Sequence, residues 1–193
     1  MERHPRDSQG ELVGRPLRVA YWLVPCEKSS SQLLALIDQL AKQFNAPRFH
    51  PHVTLYAGDF GANEQPELIV DSAARNCAGF TLAVQGLGFG SDYTKSCFLR
   101  VSRPPNLFDL TERFRRLSQH PGDYSLDPHI SLLYGQVPES LRAEVEARLT
   151  LPTEVSLNQV WAVSLPAFVR GKADIERWRL MAELTLLPHL VRG

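Results

Sequence analysis

Cysteine is scarce in this chain and badly placed for cross-linking: Cys26, Cys77 and Cys97 are odd in number, widely spaced and form no C-x-x-C pair. That argues against a disulfide framework and a zinc knuckle, and reduced structural thiols are the expectation. Net charge is missing as well. The 21 basic and 21 acidic side chains cancel, and removing the first fifteen residues leaves the balance even. A long polynucleotide groove needs a basic stripe to displace phosphate counterions, so neutrality speaks against one and leaves small phosphorylated substrates open. No apolar run reaches the roughly eighteen residues of a membrane span, and the opening residues lack the apolar stretch of a secretory signal. A soluble, cytoplasmic protein without membrane contact is expected. Three common enzyme signatures are absent too: there is no P-loop, no G-x-S-x-G elbow and no dinucleotide fingerprint, because Gly86, Gly88 and Gly90 run as G-x-G-x-G with no helix pattern after them.

What is present suffices for one folded unit. With 44% hydrophobic residues in 193, the chain can bury a sizeable interior and fold alone as a monomer. Residues 1–15 are polar and aperiodic and read as a disordered arm, with a single domain over 16–193. The run from Arg18 to Val24, stopped by Pro25, is rich in β-branched and aromatic residues and predicts a buried strand. Ser29 with Gln32 has the form of a capping box, and Leu33, Ile37, Leu40 and Phe44 recur at helical spacing before Pro47. A strand over about 52–57, a weak helix over 66–77 and a strand with Phe80, Leu82 and Val84 on one face come next.

Gly86 to Ser91 reads as a hairpin connection to a strand over Cys97 to Val101. Pro104 and Pro105 open a helix on Leu107, Leu110, Phe114 and Leu117, which leaves Arg113, Arg115 and Arg116 on a solvated face. The loop Gln119 to Asp127 leads into a strand over His129 to Tyr134, and Pro138 opens a helix on Leu141, Val145 and Leu149. Two long strands, over about 155–168 and 177–187, follow; in the second, Trp178, Leu180 and Ala182 alternate with Arg179, Met181 and Glu183. Helices and strands mix without a strict βαβ rhythm, which predicts an α+β protein with antiparallel sheets.

One internal repeat stands out. Pro51-His52-Val53-Thr54-Leu55-Tyr56 returns as Pro128-His129-Ile130-Ser131-Leu132-Leu133-Tyr134. Side chains two apart on a strand share a face, so His52 pairs with Thr54 and His129 with Ser131, while Val53 and Ile130 anchor the opposite faces. A single H-x-T or H-x-S is usually a surface or satisfied core histidine. Packing explains the repeated apolar positions, but it does not explain a repeated His and hydroxyl.

Two imidazoles and two hydroxyls facing one point suit a phosphodiester. One neutral His can take a proton from water while a protonated one gives a proton to the leaving oxygen. Thr54 and Ser131 would hydrogen-bond the non-bridging oxygens and hold the phosphorus in line. The scheme needs no metal and no other cofactor. His50 makes an H-x-H with His52, which could be a metal pair, but no further ligand cluster accompanies it and the second copy has Leu126, Asp127 and Pro128 instead. The repeat makes the histidines equivalent, so which is acid and which is base stays open.

These motifs resemble those of the two-histidine phosphoesterase superfamily, and within it the cyclic phosphodiesterase family. The resemblance runs from about Leu17 to Leu187 and includes Tyr21-Trp22-Leu23-Val24-Pro25, Pro47 to Leu55, Pro128 to Gly135, and Trp178. It implies a bilobal α+β fold in which two antiparallel sheets face a central cleft, with outer helices and a pseudo-two-fold axis. It implies hydrolysis of nucleoside 2′,3′-cyclic phosphates or ADP-ribose 1″,2″-cyclic phosphate. On that resemblance His52 and His129 match the catalytic pair, Thr54 and Ser131 the phosphate-binding hydroxyls, and Trp22, Tyr134 and Tyr93 aromatic positions of the cleft. Strict alternation would turn Tyr134 away from His129, so a place in the cleft requires a bulge or a strand end. Lys95 either reaches a substrate phosphate or faces water. Two alternatives stand beside a small cyclic-phosphate nucleotide: an RNA end or 2′,5′-linked oligonucleotide as substrate, or a nucleotide- or RNA-binding module without turnover.

Overall fold

A computed structural model describes residues 17–61, 63–119 and 123–188. The arm expected at residues 1–15 lies outside the described residues. The first strand, β1 (Leu17–Pro25), is buried from Val19 onward and is followed by α1 (Glu27–Phe44), β2 (Val53–Asp59), α2 (Pro66–Ala74) and β3 (Phe80–Phe89). The next elements repeat that order: β4 (Cys97–Val101), α3 (Pro105–Leu117), β5 (His129–Leu133), α4 (Arg142–Arg148) and β6 (Glu154–Pro166). A short α5 (Lys172–Ile175) and β7 (Arg179–Thr185) complete the described chain. The two βαβαβ halves place the two H-x-T/S motifs at the same point, where the second strand of each half begins.

All ladders between these strands are antiparallel, and the strand order is β2-β1-β6-β3-β4-β5. Exchanging the halves turns this order into its own reverse. The pseudo-two-fold relation therefore passes between β3 and β6, which share only the short ladder Phe80–Ala83 with Glu154–Leu157. Beyond it the sheet divides. β3 continues with β4 and β5, while β6 turns its free edge to β7 and keeps β1 and β2 on the other side. This is the α+β, bilobal arrangement expected from the resemblance. β7 has no counterpart in the first half.

β1 shows how this architecture leaves room for a site. Val19, Tyr21 and Leu23 enter the main core together with Ile37, Leu55, Phe114, Ile130 and Val160, drawn from both halves. The alternate residues Ala20, Trp22 and Val24 join Ala57 and Val163 on the other face of the sheet. Both faces are buried, the first under helices and the second around a cleft.

Several local expectations need correction. Ser29 is no cap: α1 starts at Glu27, and the buried Ser29 hydroxyl accepts the Ser156 N–H at 3.1 Å instead. The hairpin connection is shorter than expected on its first side, because β3 takes in Gly86 and Gly88 and runs to Phe89, which leaves Gly90 and Ser91 in the connection to β4. Gly88 is needed within the strand, since a Cβ there would stand 2.5 Å from the Phe98 ring, and Gly86 takes φ +121° at a bulge. The arginines of α3 stand on its outer face as expected, Arg113 and Arg116 exposed and Arg115 partly buried, and two of them also bond to neighbours: Arg113 donates to the Ala73 carbonyl at 3.3 Å, and Arg115 donates to the Tyr124 carbonyl. In β7 a register shift opposite Ala162 and Val163 breaks the alternation, so Met181 packs on the core and Leu180 is exposed. The second long strand is thus shorter than expected, and α5 occupies the stretch before it.

Candidate active site

Edge strand β2 brings in the first motif. Val53 pairs with Leu23 and Thr54 with Trp22, so the chain just before the strand lays His52 on the indole. Their ring centroids are 3.8 Å apart with planes 11° from parallel. His52 Nδ1 lies 2.7 Å from the carbonyl oxygen of His50. A carbonyl only accepts, so in the neutral ring Nδ1 carries the hydrogen and Nε2 keeps its lone pair. The second motif repeats this construction on β5, the other edge. His129 Nδ1 lies 2.7 Å from the Asp127 carbonyl, again two residues earlier, and fixes the same tautomer. His129 meets the Phe98 ring edge-on at 5.4 Å.

Both imidazoles are held toward the neutral form. Burial pushes His52 down to about 3 from an ordinary 6.5; the His50 carbonyl opposes this, and the positive charge that His129 would carry adds to it. Burial lowers His129 as well, against the pull of the Asp127 carbonyl, with Lys95 lowering it further and the Asp127 carboxylate raising it. The two rings thus disfavour simultaneous protonation.

The hydroxyls differ. Ser131 is buried and donates its proton to the Thr94 carbonyl at 2.7 Å. Among the described residues the Thr54 hydroxyl has no hydrogen-bond partner, although the Thr54 carbonyl accepts from the Tyr124 hydroxyl at 2.8 Å. That last bond ties the edge strand of the first half to the loop that leads into β5.

A cleft of about 370 Å³ collects Trp22, His52, Thr54, Tyr93 and Tyr134 on its walls. His129 and Ser131 are not part of the lining, but Thr94, whose carbonyl holds Ser131, is. Tyr134 enters because β5 ends at Leu133, which releases it from the strand's alternation. It then stacks on Phe49 at 3.7 Å. Lys95 is not in the lining of the cleft; partly exposed, it pairs with the Asp127 carboxylate beside His129 and lies 4.7 Å from the Phe98 ring centroid. His50 supplies its carbonyl to His52 and tilts its own ring over Trp161 at 4.5 Å. Among the described residues no group of three or more His, Cys, Asp or Glu could hold a metal ion.

Sequence reasoning missed part of this wall. Trp178, just before β7, stands edge-on to Trp22 at 5.1 Å, to His52 at 6.3 Å and to Tyr134 at 6.0 Å. The segment from Ala167 to Arg170 after β6 also faces the cleft. Trp178 had a signal in the family resemblance; Phe168 and Arg170 belong to no motif and had none.

Comparison with known proteins gives the family and the fold. The model of the family described as cyclic phosphodiesterase-like protein matches residues 17–186. A cyclic phosphodiesterase of Arabidopsis thaliana is 24% identical over 127 residues, covering 66% of this chain and 70% of that protein. Among solved structures, LigT of E. coli in its apo form superposes with a TM-score of 0.60 at 19% identity, over 90% of this chain and 99% of LigT. The same protein complexed with 3′-AMP gives a TM-score of 0.57 at 20% identity, over 89% of this chain and 98% of LigT. At these identities the likeness to LigT is one of fold.

Proposed function

The chain belongs to the cyclic phosphodiesterase-like family of enzymes, and from that premise we propose that it opens small cyclic phosphates by metal-independent hydrolysis, with His52 and His129 as the acid-base pair. The substrates are nucleoside 2′,3′-cyclic phosphates, ADP-ribose 1″,2″-cyclic phosphate, or both, and the products are phosphomonoesters. The observation that carries this reading is the matched pair of Nδ1 hydrogen bonds to carbonyls two residues earlier, which leaves both Nε2 atoms available. The cyclic phosphodiester character of the substrate draws support from the Arabidopsis relative's name, and its nucleotide character from LigT, which was crystallised with 3′-AMP.

The resting enzyme holds both imidazoles neutral, so it lacks the acid that the reaction needs. The phosphodiester anion supplies the counter-charge that lets one ring take up a proton from solvent. Placed between the rings, it favours one imidazolium, and the mutual repulsion of the two rings limits protonation to that one. The neutral ring then accepts a proton from water as its oxygen attacks phosphorus, and the imidazolium gives its proton to the sugar oxygen that leaves. Thr54 donates its hydroxyl hydrogen to a non-bridging oxygen. Ser131 does the same after turning its proton away from the Thr94 carbonyl. Trp22 keeps His52 oriented by stacking, and the aromatic walls accept a nucleoside face.

The test is an assay of the purified protein in EDTA against nucleoside 2′,3′-cyclic phosphates and the ADP-ribose cyclic phosphate, with phosphorus NMR of the products. Turnover to a single phosphomonoester isomer is the expected result. Full activity in both His52→Ala and His129→Ala would sink the reading.

A further inference from the structure

One wall of the cleft takes no part in the chemistry above. The segment Ala167, Phe168, Val169 and Arg170, between Pro166 at the end of β6 and Lys172 at the start of α5, lines the same cleft as His52 and Thr54. Arg170 is the only lysine or arginine among the described lining residues. Its guanidinium forms no ion pair among the described residues and lies 5.5 Å from the centroid of the Phe168 ring. Stacking of this kind orders a guanidinium without neutralising it. The backbone is fixed as well, because the Arg170 N–H donates to Asp174 Oδ2 of α5 at 2.9 Å. Phe168 is 69% exposed, the most exposed large apolar side chain among the described residues. Asp92 is the one carboxylate on the wall, and it does not pair with Arg170 among those residues.

An ordered, unneutralised guanidinium in a cleft suits a planar, bidentate grip on a phosphate. The phosphate that is cleaved already has two imidazoles and two hydroxyls. We propose that Arg170 is a specificity-determining residue that receives a second phosphate of the substrate, remote from the scissile one, with Phe168 as the surface on which the arginine is held. The preferred substrates are then cyclic phosphates that carry a further phosphate or diphosphate, rather than bare cyclic nucleosides. This rests on the cyclic-phosphate reading above.

The experiment compares kcat/KM of the full chain on adenosine 2′,3′-cyclic phosphate with that on the same compound bearing a 5′-phosphate, and on ADP-ribose 1″,2″-cyclic phosphate. A charge-assisted contact predicts a preference of about tenfold to a hundredfold for the compounds with extra phosphate. Arg170→Gln collapses that ratio, and Arg170→Lys, which keeps the charge but loses the fork, restores part of it. Absence of a preference in the unaltered protein, or equal losses on all three substrates in Arg170→Gln, overturns the proposal; the latter would put Arg170 on the scissile phosphate. If none of the compounds is hydrolysed, the cyclic-phosphate reading fails by itself, and calorimetric titration with adenosine 2′-phosphate and adenosine 2′,5′-bisphosphate decides the role of Arg170. Tighter binding of the bisphosphate that disappears in Arg170→Gln upholds it, and equal affinities overturn it.

Discussion

His52 lies flat on an indole in a pocket closed by two tryptophans, whereas His129 meets a phenylalanine edge and has the Lys95–Asp127 ion pair beside it. The two halves nevertheless give both imidazoles the same backbone handle, Nδ1 on the carbonyl two residues before. The hydroxyls reverse the pattern: equal in sequence spacing, they are unequal in engagement, since Ser131 donates to Thr94 and the Thr54 hydroxyl has no partner among the described residues. Duplication thus preserves what the motif builds from its own backbone, and surroundings that come from elsewhere diverge. β7 is the largest such divergence, because it continues from Trp178 on one side only.

The strongest way to break the comparison is to remove each imidazole in turn. If the pair shares the proton transfers, His52→Ala and His129→Ala each lower kcat by about 10² to 10⁴-fold, because each transfer is worth that much. A full loss in one variant with little change in the other would end the equivalence of the halves. The hydroxyls sharpen it next. Losing one donor to the developing charge costs about 10² to 10³ in kcat. Thr54→Ala is expected to show the larger loss, since Ser131 must first give up its bond to Thr94; equal kcat losses in Ser131→Ala would show that this bond does not matter.

Acid titration tests the imidazoles without substrate. A folded-state pKa below the ordinary 6.5 means that the unfolded chain takes up a proton that the folded chain does not. Stability is therefore fully present above pH 6.5 and falls as pH drops through the window toward about 3, where His52 itself protonates. His52 contributes a slope approaching about 1.4 kcal/mol per pH unit there. Denaturant melts across that range should show the slope, and His52→Asn should flatten it. Imidazole NMR resonances that titrate near 6.5 in the unliganded protein would contradict it. Inorganic phosphate should move the midpoint of one ring upward. The smallest effect concerns the bond between the halves: Tyr124→Phe removes the donor to the Thr54 carbonyl and should cost about 1 kcal/mol of stability by urea unfolding.

Much of the site could be read from the chain because its decisive feature is local. The alternation of a strand puts His52 with Thr54 and His129 with Ser131 on one face, and apolar Val53 and Ile130 hold the other in the core. Tyr134 already contradicted alternation on paper, and the end of β5 at Leu133 resolves the conflict. Other features were out of reach. Ser29 had the composition of a cap, but the helix starts earlier and gives that hydroxyl to Ser156, 127 positions away in sequence. Gly88 looked like a turn because its real constraint, the Phe98 ring on the neighbouring strand, is invisible to a local pattern. The place of Lys95 depends on its partner Asp127, 32 positions away in sequence and outside any local pattern.

The amino-acid sequence by itself determined the duplicated motif, the mixed α and antiparallel β content, and the face on which each His and hydroxyl stands. Those depend on neighbours within a few residues, where dihedral preference and side-chain period decide. The tertiary structure alone decided that the two motifs stand on edge strands at opposite ends of the strand order, that Trp178 and Arg170 join the wall of the cleft beside His52, and that the Ser131 hydroxyl is engaged while the Thr54 hydroxyl has no partner among the described residues. Each of these follows from strand ends, bulges and contacts between distant segments, whose geometry depends on the packing of the whole sheet.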